Sequence, residues 1–120
     1  MNVPFSLLYR ASLDPEVGGL IDPYSDRERV AIVADGCVVG FFTPRRDPDG
    51  SARLGAIYIL PAFRGQGLAR EAIRQYVAST PGPFRAWIAN QNLSSQRAFE
   101  ACGFTRADSF GDGHWWTHEG

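Results

Sequence analysis

The stretch Tyr58-Ile-Leu-Pro-Ala-Phe-Arg64-Gly65-Gln66-Gly67-Leu68-Ala69-Arg70 carries the clearest chemistry in this sequence. It reads as a strand running into a glycine-rich turn that opens a helix. The first turn of a helix has unpaired N–H groups and the positive end of the peptide dipoles. Gly65 and Gly67 lack a Cβ, so phosphate oxygens can come close to the backbone there. Arg64 and Arg70 are placed to add charge-assisted bonds to those oxygens. A glycine-rich turn is also an ordinary way to join a strand to a helix, so the loop alone does not decide. A dinucleotide-binding unit fits poorly, because Arg70 stands where the third glycine belongs and four expected strands precede the loop. All twelve basic residues are Arg, and the absence of Lys excludes a Walker-type loop.

A second pattern follows further along the chain, Asn92-x-x-Ser95-x-x-x-Phe99-x-x-x-Gly103-Phe104. Each residue has a structural reading: Asn92 as a helix N-cap, Ser95 as a local hydrogen-bonding residue, Phe99 as core and Gly103 as the glycine that ends the helix. The two patterns together are more specific. Arg64-x-x-Gly67-x-Ala69 matches the Arg/Gln-x-x-Gly-x-Gly/Ala loop of the GNAT N-acetyltransferase superfamily, and the Asn92 pattern resembles that superfamily's second signature. The resemblance covers Arg53 to about Phe110. The first fifty residues resemble it only in the order of their expected strands.

The resemblance implies an α/β (α+β) fold: a mixed, mostly antiparallel, splayed sheet that holds acetyl-CoA between two neighbouring parallel strands, with helices packed on it. It implies that Ile57, Tyr58 and Ile59 run beside the pantetheine arm. The N–H groups of Gly65, Gln66, Gly67, Leu68, Ala69 and Arg70 would hold the pyrophosphate, with Arg64 beside them. Asn92 would reach the pantetheine from the other side, and Phe99 would lie near the thioester sulfur. The implied reaction is acetyl transfer to a primary amine by direct attack, with much of the rate coming from proximity. A backbone N–H of Ile59 or Leu60 would polarise the carbonyl.

Proton transfer is the weak point of the match. Where many relatives carry a Tyr that protonates the leaving thiolate, this chain has Phe99. Trp87 stands where some relatives place a Glu, and the start of the strand before the loop offers Arg53 and no carboxylate. The remaining candidates are Tyr58, Ser95, Asp112 and His114, of which His114 has an unperturbed pKa nearest neutrality. The alternative function is a catalytically weak acyl-CoA-binding or regulatory module.

The surrounding elements follow from local pattern. Phe5 to Tyr9 reads as a first strand. Val30 to Ala34 and Cys37 to Phe42 read as a hairpin turning at Asp35-Gly36. Arg53 to Leu60 reads as one strand, and Gly67 to Ser79 as a helix with an apolar face at Leu68, Ala69, Ala72, Ile73, Tyr76 and Val77. Phe84 to Ala89 reads as a strand, Asn92 to Cys102 as a helix, and Phe104 to Phe110 with His114 to His118 as a closing hairpin. Only Asp14 to Arg29, broken by Gly18, Gly19 and Pro23, is left to wall an acceptor pocket. That shortened helical region implies a pocket that is open or completed by a second copy of the chain, with Trp87, Phe110, Trp115 and Trp116 as candidate walls.

At 120 residues and 44% hydrophobic content, residues 1–120 are expected to form one folded domain. A net charge of −1 disfavours a nucleic-acid binder. Cys37 and Cys102 form neither a redox pair nor a metal-ligand spacing. No apolar run approaches a membrane span, and a cytoplasmic protein with an amine-bearing acceptor is expected.

Overall fold

The computed structural model describes residues 2–120. The chain opens not with the expected strand but with helix α1, Phe5–Ser12. The physical reason lies in the spacing of Leu7, Leu8 and Ala11, which puts all three on one buried face. Pro4 precedes the first turn, and its carbonyl accepts from the N–H groups of Leu7 and Leu8. A short 3-10 turn, Gly18–Leu20, follows. Of the segment Asp14 to Arg29, expected to supply the shortened helical region, only this turn is helical.

The sheet is in two parts. Strands β1 (Val30–Ala34), β2 (Cys37–Phe42) and β5 (Ile57–Ile59) make a three-stranded antiparallel sheet in the order β1-β2-β5. The β1–β2 turn has Asp35 at φ 53° and Gly36 at φ 78°, the left-handed pair that a tight hairpin turn requires. The second sheet runs β3 (Arg45–Arg46), β4 (Ala52–Arg53), β6 (Phe84–Ala89), β8 (Gly113–His118) and β7 (Thr105–Phe110), in the order β3-β4-β6-β8-β7. All of its pairings are antiparallel except β4 with β6.

The expected single strand from Arg53 to Leu60 is broken. Its first part pairs with β6, and Leu54 N–H still donates to Arg85 O at 3.1 Å. Gly55 then takes φ +71°, and a Cβ at this position would collide with Thr43 O. Beyond it the chain crosses to the other sheet and pairs with β2. The two sheets therefore part between β5 and β6, the splay that the site uses.

Helix α3 (Leu93–Ala101) packs on the second sheet, whereas helix α2 (Leu68–Ser79) bridges the two, with Leu68, Ala69 and Ala72 against Ile32, Val39, Phe42 and Ile59 of the first sheet and Ile73 in the core of the second. Alternation along β6 buries Phe84, Ala86 and Ile88 against Ile73, Phe99, Phe104 and Trp116. Phe99 and Phe104 meet edge-on at 5.0 Å. A separate cluster under α1 joins Leu7, Leu8, Val17 and Ile21 to Phe41 and Tyr58. No helix among the described residues is long and apolar enough to cross a membrane.

Candidate active site

The phosphate-loop segment forms the end of a cleft of about 480 Å³. After β5 the chain makes a 3-10 turn at Pro61–Phe63 and enters α2 through Gly65 and Gly67, at φ +78° and +76°. Nothing lies within 4 Å of where a Gly65 Cβ would be. The first helical bond of α2 is from Glu71 N–H to Gly67 O at 3.0 Å. The N–H groups of residues 65 to 70 have no partner among the described residues. Six consecutive free donors thus meet an open approach, which suits a polyanion such as a pyrophosphate.

Cleft walls come from β5, the loop, the start of α2 and one face of α3. Ile57, Tyr58, Ile59, Arg64, Gly65, Gly67, Leu68, Ala69, Arg70 and Asn92 all line it; Gln66, between two lining glycines, is exposed and is not itself part of the lining. Arg64 is spent locally. Its Nε donates to Ile59 O at 2.8 Å, its Nη2 lies 3.4 Å from Asp14 Oδ2, and its guanidinium sits 5.5 Å from the Tyr58 ring centre. Arg70 folds back over the loop, where an added Cβ on Gly67 would meet its Nη2 at 3.5 Å. Arg97, which the sequence patterns do not single out, also lines the cleft and makes no ion pair among the described residues. Its only sequence signal is its place on α3, five positions after Asn92.

The main chain of β5 has a free edge. Leu60 N–H donates to Val39 O at 2.8 Å, and Ala56 O accepts from Thr43 N–H at 3.2 Å. Antiparallel alternation therefore turns the polar groups of Tyr58 toward β2 and those of Ile57 and Ile59 toward the splay. Of the two N–H groups considered for polarising a carbonyl, Leu60's is engaged and Ile59's is on the open edge. Ile59's own carbonyl is taken by Arg64, so Ile57 keeps the free C=O.

Between β5 and β6 the splay narrows to a second cavity of about 30 Å³, touched by Gly55, Ala56 and Ile57 on one side and by Trp87, Ile88 and Ala89 on the other. Glu16, Val17, Ile57, Asn92 and Ser95 line both this cavity and the main cleft, so the two are continuous. Asn92 is both cap and wall: its Oδ1 accepts from Ser95 N–H at 3.3 Å. Phe99 is 2% exposed, belongs to the core and forms part of the inner cavity's floor.

The proton-transfer candidates separate. Tyr58 is 4% exposed, and neither its hydroxyl nor that of Ser95 has a hydrogen-bond partner among the described residues. No buried side-chain oxygen among the described residues is left unpaired. Both hydroxyls therefore reach solvent, and both residues line the cleft. His114 does not line it: on β8 its Nδ1 lies 2.6 Å from Asn90 Oδ1. Asp112 sits in the β7–β8 turn, where its carbonyl accepts from Asn90 N–H at 2.9 Å. Of the four aromatic candidates only Trp87 reaches the splay. Trp116 is core, Phe110 is exposed, and Trp115 lies under two guanidiniums, with Arg85 at 3.8 Å and Arg53 at 5.0 Å.

The acetyltransferase (GNAT) family model matches residues 5–104. The chain belongs to this family. Among curated proteins, it is 29% identical over 86 residues to an uncharacterized N-acetyltransferase of Mycobacterium tuberculosis and to its counterpart in Mycobacterium bovis. The match takes in 67% of this chain and 55% of those proteins, so the chain spans about half the length of the relatives it matches. Among solved structures, a GNAT-family acetyltransferase from Bacillus cereus superposes with a TM-score of 0.69 at 21% identity, over 78% of this chain and 70% of that one. An acetyltransferase from Thermus thermophilus gives 0.67 at 19% identity, over 96% and 80%. The Campylobacter jejuni N-acetyltransferase PseH, solved in complex with acetyl coenzyme A, gives 0.61 at 17% identity, over 72% and 63%. These likenesses establish the splayed GNAT fold.

Proposed function

We propose that this protein transfers an acetyl group from acetyl-CoA to a primary amine by direct nucleophilic attack. The observation that carries the reading is the row of free N–H groups from Gly65 to Arg70, opening on a cleft that runs to the unpaired edge of β5. Those donors, with Arg70 and Arg97 beside them, suit a pyrophosphate. The Ile57 main chain and the Asn92 side chain suit the amides of a pantetheine arm. Acetyl-CoA bound in this way supplies the activated acyl group.

The amine nitrogen attacks the thioester carbon, the carbon–sulfur bond breaks, and the thiolate takes a proton while the new amide nitrogen gives one up. The N–H of Ile59 is aimed to stabilise the oxyanion. The Ser95 and Tyr58 hydroxyls, both without a partner among the described residues, are placed within the cleft to donate to sulfur; the Ser94 hydroxyl, also in the lining, is engaged by Asn92. Their presence favours an enzyme over a regulatory acyl-CoA-binding module. Two unpaired cysteines, Cys37 exposed and Cys102 half-buried, fit a reducing compartment and hence the cytoplasm.

The test has two arms. Acetyl-CoA should raise the melting temperature by ligand linkage, and a panel of primary amines should release free CoA thiol above the rate of spontaneous hydrolysis. A melting temperature that ignores acetyl-CoA would overturn the reading. A clear thermal shift with no amine-dependent thiol release would move it to the regulatory module.

A further inference from the structure

Beside the inner cavity lies a third, of about 300 Å³, that the reaction sketched above does not use. Residues 19 to 29 form most of it, and Thr43 closes it. It adjoins the splay in two ways. Leu20 lines both cavities. Thr43 is also tied to Ala56 on the splay side by two hydrogen bonds, one from its N–H to Ala56 O and one from Ala56 N–H to its Oγ1, each 3.2 Å.

The charge in this third cavity is cationic. Arg27 and Arg29 line it; Asp26 and Glu28, which alternate with them, do not. Asp22 is the one carboxylate in the lining, and its Oδ1 already accepts from Tyr24 N–H at 2.9 Å. Arg29 donates to the Asp22 carbonyl at 3.0 Å. Neither guanidinium makes an ion pair among the described residues, whereas Arg45, Arg53, Arg64, Arg74 and Arg85 all do. Two guanidiniums against one carboxylate leave the lining with an excess positive charge, and with no ion pair to Asp22 they are free to hold a carboxylate or phosphate with paired N–H donors.

At the other end of the path the sign reverses. The Glu16 backbone N–H caps Asp14 at 2.8 Å, but the Glu16 carboxylate itself has no partner among the described residues. It lines both the cleft and the inner cavity, where the amine must arrive. Glu16 and Leu20 line the inner cavity, and Leu20, Arg27 and Arg29 line the third.

We propose that the acceptor is a zwitterionic amine, whose ammonium end is drawn to Glu16 and whose anionic end, a carboxylate or phosphate, is held by Arg27 and Arg29 across Leu20. This rests on the acetyl-transfer reading for its geometry.

The experiment is a binding series on CoA-saturated protein, followed by calorimetry and by the melting temperature. The probes are aminoalkanoates of three to six carbons, the alkylamines and alkanoates of the same lengths, and aminoalkyl phosphates. The best zwitterion should bind about tenfold or more tighter than its matched alkylamine, the scale of a charge-assisted hydrogen bond. The Arg27→Gln/Arg29→Gln double variant should collapse that ratio toward one, and Glu16→Gln should weaken the zwitterion but not the matched alkanoate. The carboxylate and phosphate series then tell which anion the site takes. The CoA-induced rise in melting temperature, retained in each variant, reports an intact fold. Equal binding of zwitterion and alkylamine, no binding by any probe, or a ratio that survives the double variant would overturn the proposal while leaving the acetyl-CoA site standing. Loss of the CoA-induced rise in the unmutated protein would instead bring down the reading beneath it.

Discussion

Arg64 Nε donates to the carbonyl of Ile59 at 2.8 Å, reaching back from the phosphate loop to the last residue of β5. The side chain expected to face phosphate is instead a latch between the strand that frames the thioester and the loop that frames the pyrophosphate. Its Nη2 continues the tie to Asp14, on the segment after α1. One guanidinium thus sets the spacing of three walls of the cleft. It also uses up one main-chain acceptor on the open edge of β5.

Loss of this latch should be felt first in stability. Arg64→Ala removes a charge-assisted hydrogen bond and a stacked contact on Tyr58, while the exposed Asp14 pair contributes little. Urea denaturation should show a loss of about 1–2 kcal/mol. Affinity for acetyl-CoA should fall only a few-fold, because the guanidinium is not aimed at the ligand. A loss of affinity of a hundredfold with unchanged stability would show that Arg64 turns to phosphate when the ligand binds.

The loop itself predicts a different response. Gln66 is exposed at its tip, so Gln66→Glu leaves packing untouched and adds a negative charge where a pyrophosphate should lie. The unliganded melting temperature should stay within about 0.5 kcal/mol equivalent of the parent, as for an ordinary surface change. The shift induced by acetyl-CoA should shrink by most of its size, and part of it should return at high salt as the repulsion is screened. An undiminished shift would mean that the phosphates lie elsewhere.

Cys102 and Cys37 should differ in reactivity. Burial pushes the Cys102 thiol up from its ordinary value, and the nearby Arg70 and Arg74 guanidiniums offset only part of that rise. Its Sγ also donates to Arg70 O at 3.3 Å, tying the end of α3 to the first turn of α2. A raised pKa means less thiolate at any given pH, and thiolate is the species that alkylates. Mass spectrometry during iodoacetamide treatment near pH 8 should find exposed Cys37 modified first, with Cys102 lagging and catching up only as pH rises further. Equal rates would show that the α2–α3 contact opens readily in solution.

Phe99 should behave as core. It is 2% exposed and packs edge-on against Phe104, so Phe99→Ala should cost about 3–5 kcal/mol. Phe99→Tyr is expected to keep the fold, because the ring borders the inner cavity beside Ser95 and Asn92, and a hydroxyl there could add a thiol proton donor. Chemical denaturation of both variants checks the contrast. An Ala variant as stable as the parent would remove Phe99 from the core.

What the sequence made legible was local. The glycine loop, the Asn92 cap and the Asp35-Gly36 turn each announce themselves within a few residues, and each is found where expected. Two misreadings came from elements whose identity depends on distant partners. Phe5 to Tyr9 is aromatic and apolar enough for a strand, and only the burial of Leu7, Leu8 and Ala11 on one side makes it a helix; Pro4 ahead of it was the available hint. Arg53 to Leu60 looks continuous, but Gly55 sits where the chain leaves one sheet for the other, and a glycine inside a strand pattern is a known mark of such a break. Cavity lining was not legible at all. Whether Arg27 faces a pocket while Glu28 does not depends on how residues 19 to 29 drape over Thr43, and no spacing rule encodes that.

Protonation of the leaving thiolate should fall to a hydroxyl within the cleft. His114 carries the imidazole, but it contacts Asn90 outside the cleft, whereas Tyr58 and Ser95 hold solvent-reaching hydroxyls within it. General acid help is worth typically ~10²–10⁴-fold, and a thiol is an easy leaving group, so the effect should fall at the low end. Tyr58→Phe and Ser95→Ala should each be made, and one of them should lower kcat by about tenfold to a hundredfold with little change in the KM for acetyl-CoA, as expected when an interaction forms only in the transition state. His114→Ala should leave kcat and its pH profile unchanged, with the rate rising through the pKa of the acceptor amine rather than near ~6.5, the ordinary value for histidine. A profile centred near neutrality that vanishes in the His114 variant would require β8 to move toward the splay during turnover. It would return the proton-transfer role to the residue that the sequence first suggested.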